Sequence, residues 1–205
     1  MKATQPHRLV AFEGPPTAGK TMCARKFAAH FHTERLLEPT PRLLVSFYAD
    51  TKPKALVTQI YYLQRRIRHA QKARFLLSKG SQVCMDYAFW KDLVYARQFM
   101  DKREYVIYRG LYQSIEDFWV TPSVLVLLDC RTDVIMRRLR SRRRKGEERL
   151  TAQDVAALRS HAIRLARIQK CPVIRIDTTS LPIDTSALAR NILFHKVVDA
   201  VSSAI

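Results

Sequence analysis

Residues 9–21 read LVAFEGPPTAGKT. Gly14, Gly19, Lys20 and Thr21 complete the phosphate-binding pattern G-x-x-x-x-G-K-[ST] without a mismatch. Before them, Leu9 to Phe12 is an apolar run suited to a strand buried on both faces. After them, Met22, Ala24, Phe27, Ala28 and Phe31 recur at helical spacing. Strand, turn and helix in that order is the context the motif requires. Gly14-Pro15-Pro16-Thr17-Ala18-Gly19 turns successive N–H groups into one concavity, and the helix adds its positive dipole end. Such a nest holds phosphate oxygens. Lys20 is expected on the terminal phosphates and the Thr21 hydroxyl on Mg²⁺. The two prolines stiffen the loop and replace none of its functional residues.

Composition sets the outer bounds. At 205 residues the chain is one domain by size, residues 1–205, and its 47% hydrophobic content argues for a packed core rather than disorder. No 18-residue apolar run is present, which predicts no membrane span. The N-terminus MKATQPHR lacks an apolar signal region, so a cytoplasmic protein is expected. Cys23, Cys84, Cys130 and Cys171 have no C-x-x-C spacing and read as buried, reduced thiols. The formal charge is +18, a field that favours polyanions such as nucleotides, nucleic acid or anionic lipid.

Beyond the first helix, Arg35 to Glu38 reads as a second short strand. A carboxylate at the carboxyl end of such a strand faces the crevice where α/β sheets bind ligands. From the pattern alone, Glu38 is as well read as a solvated loop residue. A turn region follows over 43–54, and a helix is predicted from about Lys54 to Ser78 with an apolar stripe of Leu56, Ile60, Leu63, Ile67, Ala70 and Leu77. Gln59 and Arg66, seven residues apart, share one face and read in isolation as a solvated helix edge. Gln82 to Asp86 is the third strand, and Asp92 falls two turns later in the next helix. Ser123 to Cys130 is the most apolar strand and Pro172 to Asp177 the fifth. Strands alternating with helices predict an α/β fold: a doubly wound, five-stranded parallel sheet flanked by helices. Residues 137–149 are dense in arginine. They form either a solvated basic face or a lid of mobile cations that close over a transferring phosphoryl group.

With these elements placed, the chain resembles the deoxynucleoside kinase family, of the deoxycytidine/deoxyguanosine type. The resemblance runs from the first strand to near the C-terminus. It rests on Glu38-Pro39, Tyr48, Gln59 within TQIYYLQRRIR, Arg66 with Asp92, and the lid set Arg138, Arg142, Arg144 and Glu147. It implies a P-loop NTPase fold and ATP- and Mg²⁺-dependent transfer of the γ-phosphate to the 5′-hydroxyl of a deoxynucleoside. Glu38 would be the base, Tyr48 and Glu147 would hold the sugar 3′-hydroxyl, and Gln59, Arg66 and Asp92 would read the base. Arg138, Arg142 and Arg144 would hold phosphates, and Asp86 would serve Mg²⁺ with Thr21. The resemblance also implies a homodimer.

Two positions depart from the family pattern. Arg143 stands in place of the lid glycine. The third strand runs into Asp86-Tyr87-Ala88, where the family has an acid, an arginine and a serine. The lost arginine helps hold the 5′-hydroxyl, so nucleoside phosphorylation needs Lys91 or a lid arginine as substitute. That loss, with the +18 charge, motivates an alternative acceptor: a hydroxyl carried on DNA, such as 5-hydroxymethyluracil in a phage, in which case the protein works in the host cytoplasm. Glu147 argues against it, because an internal nucleotide has no free 3′-hydroxyl. A nucleoside monophosphate kinase, or a nucleotide-binding protein without catalysis, completes the set.

Overall fold

The computed structural model describes residues 8–38 and 51–204, and within them all side chains but those of residues 51–54 and 148. Among the described residues five strands are seen: β1 (Leu9–Glu13), β2 (Glu34–Leu36), β3 (Val83–Met85), β4 (Val124–Asp129) and β5 (Val173–Asp177). They form one sheet in the order β2-β3-β1-β4-β5, every pairing parallel. The helices are α1 (Lys20–Phe31), α2 (Thr51–Ser78), α3 (Lys91–Phe99), α4 (Lys102–Ser114), α5 (Thr132–Arg142), α6 (Ala152–Arg167) and α7 (Ala187–Ser202).

β1 and β4 are buried along their whole length, as their unbroken apolar sequences require. Alternate side chains of β1 feed opposite cores. Val10 and Phe12 pack with Cys23, Ala24 and Phe27 of α1 and Leu193 and Val197 of α7. Ala11 packs on the other face with Val94 of α3, Ile135 of α5 and Leu158 of α6. Asp129, the last residue of β4, draws that second layer in. Its carboxylate accepts from Arg159 Nε and Nη2 of α6 at 2.6 and 2.8 Å and from Arg175 of β5 at 2.5 Å. Thr151 and Ser186 cap α6 and α7, and Asp154 completes a capping box with Thr151. Cys23, Cys84 and Cys130 are buried and Cys171 half-buried, all as free thiols.

The α2 helix departs from its predicted stripe. It begins at Thr51, earlier than expected. Leu63 and Ala70 are buried, but Ile60 is 43% exposed while Gln59 and Arg66 are 3% and 2% exposed. The solvated-edge reading is therefore corrected. The face that turns inward carries Ala55, Gln59, Leu63, Arg66 and Ala73, small residues against the core with the polar pair between them. Apolar periodicity does not register a polar residue that is buried because it has a partner, as Arg66 does, or because it lines a cavity, as Gln59 does. Residues 137–149 divide between the two readings: Arg138 and Glu147 are buried, at 1% and 6% exposed, while Arg137, Arg140, Arg142, Arg143, Lys145 and Arg149 form an exposed basic face.

Helix α5 ends at Arg143, which sits at φ 49°, ψ 37° and returns its N–H to the Leu139 carbonyl. This is the left-handed cap that glycine adopts without strain. It accounts for glycine at this place in the family pattern. Arg143→Gly is expected to raise thermal stability by about 1 kcal/mol. Calorimetric unfolding of the two proteins measures it, and an unchanged or lower midpoint would sink the cap argument.

Candidate active site

The loop after β1 is shaped by backbone. Gly14 has φ 145°, and a Cβ placed there would lie 2.0 Å from the Leu128 carbonyl oxygen on β4. Only glycine lets β1 leave the sheet this close to its neighbour. Thr17 and Gly19 also have positive φ, 60° and 102°. The Lys20 ammonium donates to the Gly14 and Pro15 carbonyls at 2.7 Å each. Burial pulls its pKa down to about 8, the Lys91 ammonium pushes the same way, and Glu13, Glu38 and Asp86 resist.

Asp86, just past β3, joins the loop to the second strand. Its Oδ2 accepts from Thr21 Oγ1 at 2.6 Å and its Oδ1 from the Glu38 N–H at 2.7 Å. Glu13 closes the other side. Its carboxylate accepts from the Gly14 N–H at 2.8 Å and the Ala88 N–H at 3.0 Å. Burial raises the Glu13 pKa, against the attraction of Lys91 and Lys20.

Glu38 lies two residues beyond β2 and is gripped from both sides. Arg66 Nη2 of α2 donates to Oε1 at 2.5 Å, and the Lys91 ammonium of α3 donates to Oε2. Burial works against ionisation here, but Lys91 and Arg66 outweigh it and hold the carboxyl at about 2. Arg66 also pairs through Nε with Asp92 Oδ2 at 2.6 Å. Burial raises the Asp92 pKa despite that partner. Tyr87, which stands where the family has arginine, is buried. Its ring centroid lies 4.2 Å from the Arg66 guanidinium carbon, and its hydroxyl is 2.7 Å from His69 Nδ1. Burial keeps the phenol protonated, and burial together with Arg66, Arg65 and Lys72 lowers the His69 pKa.

The basic segment folds over this site. Glu147 accepts from Arg142 Nη2 and, at 3.3 Å, from Arg144 Nη1. Arg138 is held deeper. Its guanidinium donates to Thr178 O at 2.8 Å and Leu181 O at 2.5 Å, and a 3.5 Å contact reaches Thr17 O. One cavity of about 540 Å³ runs from the P-loop past Glu38 to Gln59 and Asp92, under the lid.

A family model described as deoxynucleoside kinase matches residues 10–202. The chain belongs to the deoxynucleoside kinase family. It is therefore a phosphotransferase with ATP as donor and a nucleoside hydroxyl as acceptor. The kinase is 23% identical over 167 residues to a deoxyguanosine kinase of Bacillus subtilis, covering 78% of this chain and 80% of that one. It is 26% identical over 192 residues to a deoxyadenosine kinase of Dictyostelium discoideum, covering 89% and 77%. Among solved structures, a deoxyadenosine kinase from M. mycoides with dCMP and dCDP bound superposes with TM-score 0.78 at 18% identity, covering 93% and 99%. That likeness is one of fold, the P-loop NTPase-like five-stranded parallel sheet seen here.

In this kinase the cavity is lined by Pro16, Thr17, Gly19, Lys20, Thr21, Glu38, Gln59, Arg66, Asp86, Asp92, Arg138, Arg142, Arg144 and Glu147. Of the residues singled out in the sequence, Gly14, Pro15 and Ala18 shape the loop without lining it. Tyr48, with the turn region to residue 50 and Pro39, lies outside the described residues. Arg138 stands apart from the expected lid set, because loop carbonyls take its guanidinium. Two residues escaped sequence reasoning. Glu13 carried a signal, a carboxylate closing an apolar strand directly before the motif glycine. Thr58 carried none. It is 1% exposed, lines the cavity beside Gln59, and its hydroxyl has no hydrogen-bond partner among the described residues.

Proposed function

We propose that the kinase transfers the γ-phosphoryl group of ATP, with Mg²⁺, to the 5′-hydroxyl of a deoxynucleoside. The observation that carries the reading is the continuity of the cavity of about 540 Å³ among the described residues. It joins a phosphate-binding loop to a carboxylate, and the carboxylate to a buried polar wall. A nucleoside laid along it has its hydroxyl at Glu38 and its base at Gln59, Arg66 and Asp92. The Thr58 hydroxyl offers that base or sugar one more hydrogen bond.

The residues divide the chemistry. The acceptor's 5′-hydroxyl is a poor nucleophile, and Glu38 takes its proton as the bond to phosphorus forms. Lys20 exchanges the Gly14 and Pro15 carbonyls for donor phosphate oxygens. Arg142 and Arg144 neutralise charge on the moving group, and Glu147 turns to the sugar 3′-hydroxyl. Arg138 braces the donor side through Thr17 and the 178–181 loop.

Thr21 and Asp86 would hold Mg²⁺. Their oxygens lie 2.6 Å apart in the cavity wall, an all-oxygen pair suited to a hard cation. When bound, Mg²⁺ supplies positive charge to the donor phosphates.

A homodimer and a cytoplasmic setting belong to the same proposal. Val57 and Ile60 of α2 and Val106, Ile107 and Leu111 of α4 are exposed apolar residues on adjacent helices. Among the described residues no helix is long and apolar enough to cross a membrane.

The test is transfer from γ-labelled ATP with Mg²⁺ to the four deoxynucleosides, thymidylate, and modified and unmodified DNA. Label on a free deoxynucleoside supports the reading and names the base. Turnover of none of the four sinks it. Label on DNA alone would make the +18 charge and Tyr87 the better guides.

A further inference from the structure

Glu38 is paired with two cations that are held very differently. Arg66 is fixed on three sides, by Glu38, by Asp92 and by the Tyr87 ring, and its side chain is 3% exposed. Lys91 approaches from the first turn of α3 and lines the cavity. Among the described residues Glu38 is its one ion-pair partner. A four-carbon stem lets its ammonium move where a stacked guanidinium does not.

The double grip conflicts with proton transfer. A carboxylate whose two oxygens each accept from a cation is a weak base. One cation must withdraw as the hydroxyl proton arrives. Lys91 is the one free to do so. The space open to it is the cavity between Glu38 and Lys20, where acceptor oxygen and donor phosphate meet in the proposed reaction. Glu13 below draws the ammonium toward this floor.

We propose that Lys91 is a catalytic residue, resting on Glu38 before the acceptor binds and passing to the oxygen being phosphorylated during transfer. The proposal rests on the nucleoside-kinase reading and deepens it. The acceptor O–H proton goes to Glu38. The oxygen forms its bond to the γ-phosphorus, and the bond from that phosphorus to the β–γ bridging oxygen breaks. ADP leaves with that electron pair. Lys91 stays protonated throughout, donating an N–H to the acceptor oxygen, and Glu38 releases its proton to water after the product departs. Lys91 thereby replaces the arginine that Tyr87 displaced. The charged groups facing Glu38 and Lys91 are Arg66 of α2, Asp92 of α3, Asp86 after β3, Glu13 of β1 and Lys20 of α1.

The experiment compares wild type with Lys91→Met, Lys91→Arg and Lys91→Cys on the best acceptor from the transfer assay. In Lys91→Met, kcat falls by roughly 10²–10³-fold with the KM for ATP held. Lys91→Arg keeps most of the activity. Lys91→Cys is inactive until 2-bromoethylamine rebuilds an ammonium at that position, with treated wild type controlling for the half-buried Cys171. Wild-type kcat in Lys91→Met, or no recovery on aminoethylation, overturns the proposal and leaves the nucleoside-kinase reading standing. Carboxyl-¹³C NMR of Glu38 reads the grip without turnover. Its chemical shift at neutral pH moves in Lys91→Met even if no nucleoside is accepted, and an unmoved shift overturns the role of Lys91 by itself.

Discussion

Glu38→Gln is expected to lower kcat by roughly 10²–10⁴-fold while ATP still binds. The amide keeps the size of the carboxylate and loses its ability to take a proton. ATP binding depends on the loop over 14–21, where Lys20 and the backbone turn are untouched by the change. Steady-state kinetics with the preferred deoxynucleoside and titration calorimetry with ATP separate the two effects. A variant that keeps wild-type turnover would remove Glu38 from the reaction. The pH profile follows from the same geometry. Burial opposes the charge, but Lys91 and Arg66 hold the free-enzyme carboxyl at about 2, so kcat/KM of the wild type has no acid limb from Glu38 at ordinary assay pH. The folded pKa is depressed, so these pairings stabilise the fold fully above 4.5. Their contribution is lost as pH falls through about 2.

Arg66→Met has the larger effect on the fold. Arg66 bridges Glu38 and Asp92, with its own side chain and that of Asp92 almost sealed from water. Removing it leaves Asp92 charged and unpaired in the interior, which costs about 3–5 kcal/mol. Glu38 suffers less because Lys91 remains. The second change Asp92→Asn removes the orphaned charge, so the double variant is expected to be more stable than Arg66→Met alone. Urea unfolding of the four proteins gives the cycle. A single variant as stable as wild type would contradict the buried bridge, as would a double variant no better than the single.

Much of the fold was legible in the sequence because parallel strands are buried on both faces. β1 and β4 announce themselves as apolar runs, and the motif between β1 and α1 fixes the end of the sheet at which ligands bind. Glu38 and Asp86 were placed by the same logic, since each follows the end of a strand neighbouring the loop. What failed was the reading of polar residues by their polarity. Gln59, Arg66 and Arg138 look solvated in one dimension and are buried in three: distant segments supply partners to Arg66 and Arg138, and Gln59 lines the cavity. Arg66 meets Glu38 from 28 positions earlier, and Arg138 meets Thr178 from 40 positions later. No local pattern encodes those meetings. The family resemblance did, for Arg66 and Asp92, and it missed Glu13, which lies inside the motif region and was overlooked for its neighbours.

The mixed-sign cluster under the P-loop has a consequence for traffic through the site. The molecule carries +18 overall, yet around Glu38 the cations Lys20, Arg66 and Lys91 are set against the carboxylates Glu13, Glu38, Asp86 and Asp92. The floor is thus close to electrical balance, while the upper wall of the cavity, with Arg25, Arg138, Arg142, Arg144 and Arg190, carries surplus positive charge. An uncharged nucleoside settles on such a floor with little electrostatic penalty. Its phosphorylated form brings about two negative charges among those carboxylates. In the proposed reaction, release of that product by the lid arginines would leave it facing a floor that accepts the uncharged substrate and repels the phosphate, so that each turnover would end with a push toward the exit.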